Sequence, residues 1–304
     1  MPLVQVTAEG PKASFDHEAL RAALADLPCG APVVVMIHGF RFAPGVGRHC
    51  PHTHILSLTP NRADPTAISW PRHLRLGGRN AGLALAFGWW ARGTIWHAHR
   101  EAAEAGLALA SLVATVREID PSRSVDILAH SLGARVVLSA LPLVEAGAFG
   151  RIILMAAAEF RAQAEAAIDS PAGLRAEVVN ITTRENDMFD LCIETLISAG
   201  AECCVGHGLS KPRANWLDLQ IDRPETVSAL AGLGFRLAPR RNRVCHWSPY
   251  MRPGVFHLYR AILNREISPA LLRAHLPAGQ EARWARLWPA LPAFPRLPLP
   301  GNPA

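Results

Sequence analysis

Ser131 is the residue in this chain on which covalent chemistry can be built. It stands in Ala129-His130-Ser131-Leu132-Gly133, after the apolar run Val125, Ile127, Leu128 and before a second one, Val136 to Leu138. Small residues two before and two after a serine let the chain turn so tightly from a strand into a helix that the two backbones nearly touch. A serine hydroxyl is a poor nucleophile at neutral pH, so it needs an imidazole to take its proton and a carboxylate to fix that imidazole. Among the 13 histidines, His246 sits in a loop after the last strand–helix pair, whereas His257 lies inside the helical pattern Val255 to Arg260. Loop placement ranks His246 first and His257 second, with His130 and His207 behind them. For the acid, Asp187 lies just past a strand end, and Glu159 also follows a strand, with Glu185 and Asp190 close to Asp187. Asp187 ranks first and Glu159 second, because the loop after the later strand is the better source.

A second group of reactive side chains sits upstream. His49, Cys50, His52 and His54 crowd a loop rich in proline and glycine, residues 42–60. Pro51 interrupts the cluster, and no second cluster stands at structural-zinc spacing. Lining the mouth of a site is therefore the preferred reading, with a metal-binding protein built on the His49 to His54 loop as the alternative. The sequence calls for no cofactor.

These residues must be held by a framework. The chain has 304 residues, 50% hydrophobic and 18% charged, which suits a globular protein with a buried sheet. Its formal charge of +6 rests on arginine, since Lys12 and Lys211 are the only lysines. No basic run is interleaved with stacking aromatics, so no nucleic-acid partner is expected. The first residues hold no continuous apolar core, and Leu83 to Trp96 is too short and too interrupted to span a bilayer. Six cysteines without a regular framework read as free thiols, and the expected location is cytoplasmic.

In chain order, residues 15–27 look helical. Val33 to Ile37 reads as a central strand stopping at His38-Gly39, and Thr66 to Pro71 as the next strand. Residues 72–98 are glycine- and tryptophan-rich without clean periodicity and are expected to form a cap or lid with an apolar wall. His99 to Ile119 is helical, and strands follow at Val125, Arg151, Glu177 and Trp216, with helices at 161–168, 224–233 and 254–263. That alternation predicts an α/β fold, a mostly parallel sheet with helices on both faces. The expected organisation is one domain over 1–270 with a loop or cap insertion at about 42–98, then a proline-rich extension over 271–304. The extension is expected to lie as an arm on the surface or on a second subunit of a homo-oligomer.

Taken together, Val33-Val-Val-Met-Ile-His-Gly-Phe40, Ile68-Ser-Trp-Pro71, Ala129-His-Ser-Leu-Gly133 with Arg135, and Arg184-Glu-Asn-Asp187 resemble the bacterial serine hydrolases of the α/β-hydrolase superfamily. The likeness covers about residues 30–260 and extends to an uncharacterised esterase- or lipase-like branch. It implies Ser131 as nucleophile, Asp187 as acid and His246 as base. The backbone amides of Leu132 and Phe40 would form the oxyanion hole, with Arg41 second choice to Phe40. Arg41, His130 and Trp70, which lie in or beside the motifs, are the expected substrate contacts. The implied activity is cleavage of a small-molecule carboxylic ester or thioester through an acyl-enzyme. A catalytically inactive scaffold used for binding is the other alternative.

Overall fold

The computed structural model describes residues 3–61, 64, 66–76 and 82–284. The strands are β1 Leu3–Glu9, β2 Lys12–Phe15, β3 Val33–Ile37, β4 Leu83–Gly88, β5 Val125–His130, β6 Phe149–Met155, β7 Glu177–Thr182 and β8 Trp216–Gln220. Between and after them come α1 His17–Ala25, α2 Trp70–His73, α3 Ile95–Ile119, α4 Gly133–Ala140 and α5 Arg161–Ile168. The rest are α6 Asp187–Ser198, α7 Pro224–Gly232, α8 Ser248–Met251, α9 Val255–Leu263 and α10 Pro269–His275. The strands form one eight-stranded sheet in the order β2-β1-β4-β3-β5-β6-β7-β8. β2 is an antiparallel edge and every other neighbouring pair is parallel.

The central strands are buried on both sides, which is why they read as unbroken apolar runs. In β3, Val33, Val35 and Ile37 pack with Leu109 of α3 and Val137 of α4, while Val34 and Met36 face Trp70 of α2 and Tyr259 of α9. Burying one such side chain contributes roughly 2 kcal/mol. The same division continues through Ile127 and Leu128 of β5, so the strand that carries Ser131 is gripped from two layers. Helix α4 is set closely against α3 by Gly106, where a Cβ would meet Ser139 Cβ at 2.7 Å. Only glycine allows that approach.

Several expectations need correction. Residues 66–71 are not a strand: Ser69 caps α2 by accepting from the Arg72 amide at 3.2 Å, and Pro71 sits in its first turn, where a missing N–H costs nothing. The strand lies instead at β4, inside the stretch read as a cap or lid. Leu83, Leu85 and Phe87 fill one face while Ala84 and Ala86 fill the other, so the segment at 42–98 contributes to the heart of the sheet. Residues 77–81 of that stretch lie outside the described residues. The helix read at 15–27 is shorter, because Asp16 accepts from the Ala19 amide at 2.9 Å and starts α1 at His17. The boundary placed at 270 falls inside α10. Beyond it, Glu281 N donates to Gln220 at 2.8 Å and Arg283 pairs with Glu194 at 2.6 Å, tying the segment to the main body. The proline-rich arm beyond residue 284 lies outside the described residues. All six cysteines are free, and no helix among the described residues is long and apolar enough to cross a membrane.

Candidate active site

The site lies beyond the carboxyl ends of β3, β5 and β7, where ligands collect in open parallel sheets. β5 ends at His130, and Ser131 turns into α4 with φ of 57°, a conformation that side chains with a Cβ rarely hold. Three main-chain bonds hold it there. Ser131 N donates to Met155 O at 3.0 Å, and its carbonyl accepts from Ala134 N at 2.9 Å and Ala158 N at 3.1 Å. The crowding inferred from the small residues is explicit: a Cβ on Gly133 would stand 2.7 Å from His38 O, and one on Gly39 would stand 2.6 Å from Ser131 Cβ. Ala129 at the first small position is fully buried and pairs with Ile37 and Leu154.

His246 comes from the irregular segment before α8. Its loop is anchored by Cys245 N donating to Glu185 O at 2.9 Å, and Glu185 in turn is ion-paired with Arg252 at 2.8 Å. His130 donates from Nε2 to the His246 carbonyl at 3.0 Å, and Phe189 stacks on the imidazole at 4.6 Å and 24°. His246 Nε2 lies 2.8 Å from Ser131 Oγ. Its Nδ1 lies 2.6 Å from Asn186 Oδ1. Asn186 Nδ2 donates to Asp190 Oδ1 at 2.9 Å, which leaves the amide oxygen as acceptor for the His246 Nδ1–H and the Nε2 lone pair for the serine. Burial, and then the neighbouring His130, holds the His246 imidazole well below its ordinary range, so the ring is neutral at neutral pH and its Nε2 lone pair is free to accept. Asp190 is wholly buried, and its carboxyl is pushed up to about 8, first by burial and further by Asp187 and Glu194, against the pull of Arg184 and Arg283.

Asp187 is not brought to His246. It opens α6 one residue after Asn186, so its side chain is rotated away. There Oδ2 accepts from Trp284 N at 2.7 Å, and Oδ1 lies 3.2 Å from Arg184. Glu159 is also directed elsewhere, accepting from Arg135 at 2.7 Å and from the Phe160 amide at 2.8 Å. His257 is exposed on α9 against Phe235, and His207 belongs to the Asp187 and Asp190 cluster. Trp70 does not line the site; it is buried at 0% exposure behind Tyr250, as the large ring is worth more in the core. Arg41 and His130 do line it. What the sequence reading missed is Asn186 and Phe189; Asp190, noted there only as a neighbour of Asp187, proves to be the partner of Asn186. The spacing of Asn186 and Asp190, four apart at the start of a helix, was the available signal.

The two amides expected to bind an oxyanion are unengaged: among the described residues, neither Phe40 N nor Leu132 N donates to a main-chain or side-chain acceptor. The Phe40 loop is fixed from β4. Trp89 N donates to His38 Nε2 and Trp89 Nε1 to His38 O, both at 3.0 Å. That leaves His38 Nδ1 to donate to Gly39 O at 2.9 Å, and burial drives its pKa to about 3, so the ring is a neutral strut. Arg41, the second choice, spends its amide on Ala91 O at 2.7 Å. In front of Ser131 opens a cavity of ≈ 500 Å³, walled chiefly by Phe40, Phe42, Leu132, Phe189, Ile193, Leu196 and Trp247.

The histidine-rich loop disperses its side chains. His54 pairs with Asp64 at 3.1 Å, Cys50 accepts from Gly45 N at 3.4 Å, and His52 is tucked against Gly88. Among the described residues, the group whose potential ligand atoms come within 4.8 Å of one another is Asp187, Asp190 and His207. It does not fit a metal. Arg184 donates to His207 Nδ1 at 2.9 Å, so the neutral ring carries its hydrogen on Nε2, the atom that faces Asp190 at 3.8 Å and Glu194 at 3.9 Å. A lone pair there would set two donors against each other at Nδ1, and Arg184 and Arg283 already supply the positive charge.

Sheet order, elbow and strand-end site are those of the α/β-hydrolase fold. Residues 17–158, a little under half of the chain, match the family described as "Alpha/beta hydrolase of unknown function (DUF900)". The matched stretch runs from α1 to the loop after β6 and includes the elbow, but neither Asn186 nor His246. No curated protein matches the chain significantly.

Proposed function

We propose that the protein is a serine hydrolase that cleaves carboxylic esters or thioesters through an acyl-enzyme. The observation that carries this reading is the 2.8 Å contact between Ser131 Oγ and His246 Nε2, with the serine held at a φ of 57° at the strand-to-helix bend. Ser131 Oγ attacks the carbonyl carbon while its proton passes to His246 Nε2. The oxyanion settles against the Phe40 and Leu132 amides, each worth roughly 3 kcal/mol of barrier. On collapse the carbon–oxygen or carbon–sulfur bond breaks, and the leaving group takes the proton from His246. Water then repeats the sequence on the acyl-serine and releases the acid.

Asn186 takes the place usually given to a carboxylate. Its amide oxygen holds the His246 Nδ1–H and so selects the tautomer that can accept from serine, as the amide does in Cys-His-Asn sites. Asp190 orients that amide. The apolar cavity suits an acyl chain or an aromatic ester.

A fluorophosphonate probe tests the reading. One label per chain is expected on the wild type and none on Ser131→Ala, with the far-ultraviolet spectrum unchanged. A folded wild type that never labels would instead favour a binding scaffold.

A further inference from the structure

The mouth of the catalytic cavity is strongly cationic on one side. Phe40 and Arg41 are shared between that cavity and a second, open depression of ≈ 410 Å³ lined also by His49, Arg92 and Gly93. Arg48 projects from the same loop, next to His49. Among the described residues, no carboxylate pairs with Arg41, Arg48 or Arg92, whereas ten other arginines are ion-paired. The crowding is felt by His49, whose pKa is lowered by desolvation and then by Arg92, Arg48, His54 and Arg41.

This cluster is built rather than loose. Arg41 holds a φ of 80°, a left-handed conformation where glycine is the easy choice, yet an arginine stands there. Its amide is fixed to Ala91 O at 2.7 Å, Ala91 N donates back to Phe42 O at 2.9 Å, and Arg92 reaches the Arg41 carbonyl at 3.4 Å. The cationic ledge and the oxyanion amide of Phe40 are therefore parts of one rigid loop. The apolar lining of the cavity runs from Phe40 and Phe42 to the α6 side, at Phe189, Ile193 and Leu196, where no arginine joins it. A substrate lying across Ser131 with its acyl group against α6 would direct its other end toward the guanidinium groups of Arg41 and Arg92, with Arg48 beside His49 at the rim.

We infer that the natural substrate is an amphiphile: an apolar acyl group in the cavity, esterified or thioesterified to an alcohol or thiol that carries a phosphate, which Arg41, Arg92 and Arg48 receive. The inference rests on the ester hydrolysis proposed at Ser131 and names its substrate class. Phosphate is favoured over a single carboxylate because two guanidinium groups line one open depression and a third stands beside it, and forked donors match phosphate oxygens well.

Monodecanoylglycerol and its phosphate monoester form a matched pair that differs only in the anion. At low ionic strength kcat/KM is expected to favour the phosphate ester by about tenfold or more, and the preference should shrink as salt screens the exposed charges. In Arg92→Ala, and separately in Arg48→Ala, the ratio between the two substrates should fall by about threefold or more; a general loss of activity cancels in that ratio. Decanoyl-coenzyme A, set against a decanoyl thioester lacking phosphate, separates a thiol carrier from a lipid headgroup. Equal cleavage of both glycerol esters and of both thioesters, insensitive to salt and to either substitution, overturns the inference and leaves the esterase reading intact. Failure to cleave any of the four by a protein whose Ser131 accepts the fluorophosphonate overturns it as well. Failure together with an unlabelled Ser131 removes the reading on which it rests.

Discussion

Replacing Asp190 with asparagine isolates one charge in the proposed relay. The new amide oxygen can still accept from Asn186 Nδ2, so the 2.9 Å and 2.6 Å contacts that lead to His246 can persist. What is lost is a negative charge that would face the imidazolium formed in the transition state. At a separation of about 7 Å and an effective dielectric near 20, that attraction is about 2 kcal/mol, or roughly 30-fold in kcat. It operates only when the carboxyl is ionised. With its pKa pushed up to about 8, mainly by burial, Asp190 is protonated at neutral pH and charged above it. Wild type and Asp190→Asn should therefore show similar kcat near neutrality, and the wild type should pull ahead as pH rises through about 8, approaching about 30-fold. The linked stability runs the other way. A carboxyl whose folded pKa is raised contributes stability that is complete below its unfolded value near 4 and is lost as pH climbs through about 8. Asp190→Asn escapes that loss and should melt higher than wild type in alkaline buffer. The assay is kcat against pH with a chromogenic ester, paired with thermal melts on the same samples. A wild-type to mutant ratio that stays flat across the range would refute the coupling through Asn186.

Two further substitutions probe the same geometry. Asn186→Ala leaves the buried His246 Nδ1–H without an acceptor, a defect of about 1–3 kcal/mol, and should lower kcat by ten- to a hundred-fold while KM changes little; a steady-state comparison with one ester reads it. Gly39→Ala would drive a Cβ to 2.6 Å from Ser131 Cβ and 3.1 Å from its Oγ. The folded protein is expected to lose about 1–3 kcal/mol of stability and at least a hundred-fold in kcat/KM, and near-normal activity would show that the loop yields more easily than the packing implies.

Much of the framework was legible because it depends on patterns that burial enforces. β3, β5, β6, β7 and β8 announce themselves as apolar runs, and the elbow by the small residues around Ser131. β4 was hidden by its own economy. Leu83-Ala-Leu-Ala-Phe-Gly alternates large and small residues to fit two unequal layers, and the glycines and tryptophans that follow resemble a loose cap. Thr66 to Pro71 shows the opposite failure: β-branched residues suggested a strand where Ser69 and Pro71 began a helix. At the site, Ser131 and His246 could be picked out by an elbow and a loop position, and their side chains stand within hydrogen-bond reach of each other. Asn186 was passed over because a carboxylate was sought, and Asp187 is its neighbour in sequence. On a helix one step turns a side chain by about 100°, so neighbours in sequence face different partners.

The residues around the candidate site are contributed by successive parts of the polypeptide. Ser131 and the Phe40 loop are complete once β3 to β6 have assembled, whereas Asn186 and His246 arrive only with β7 and the segment before α8. A ribosome-bound chain that has just emerged past residue 158 would thus display a bent serine and a pair of idle amides with no partner to remove the proton. On the proposed reading, hydrolytic competence would be deferred until the late-synthesised portion docks, and turnover would be a report on completed folding.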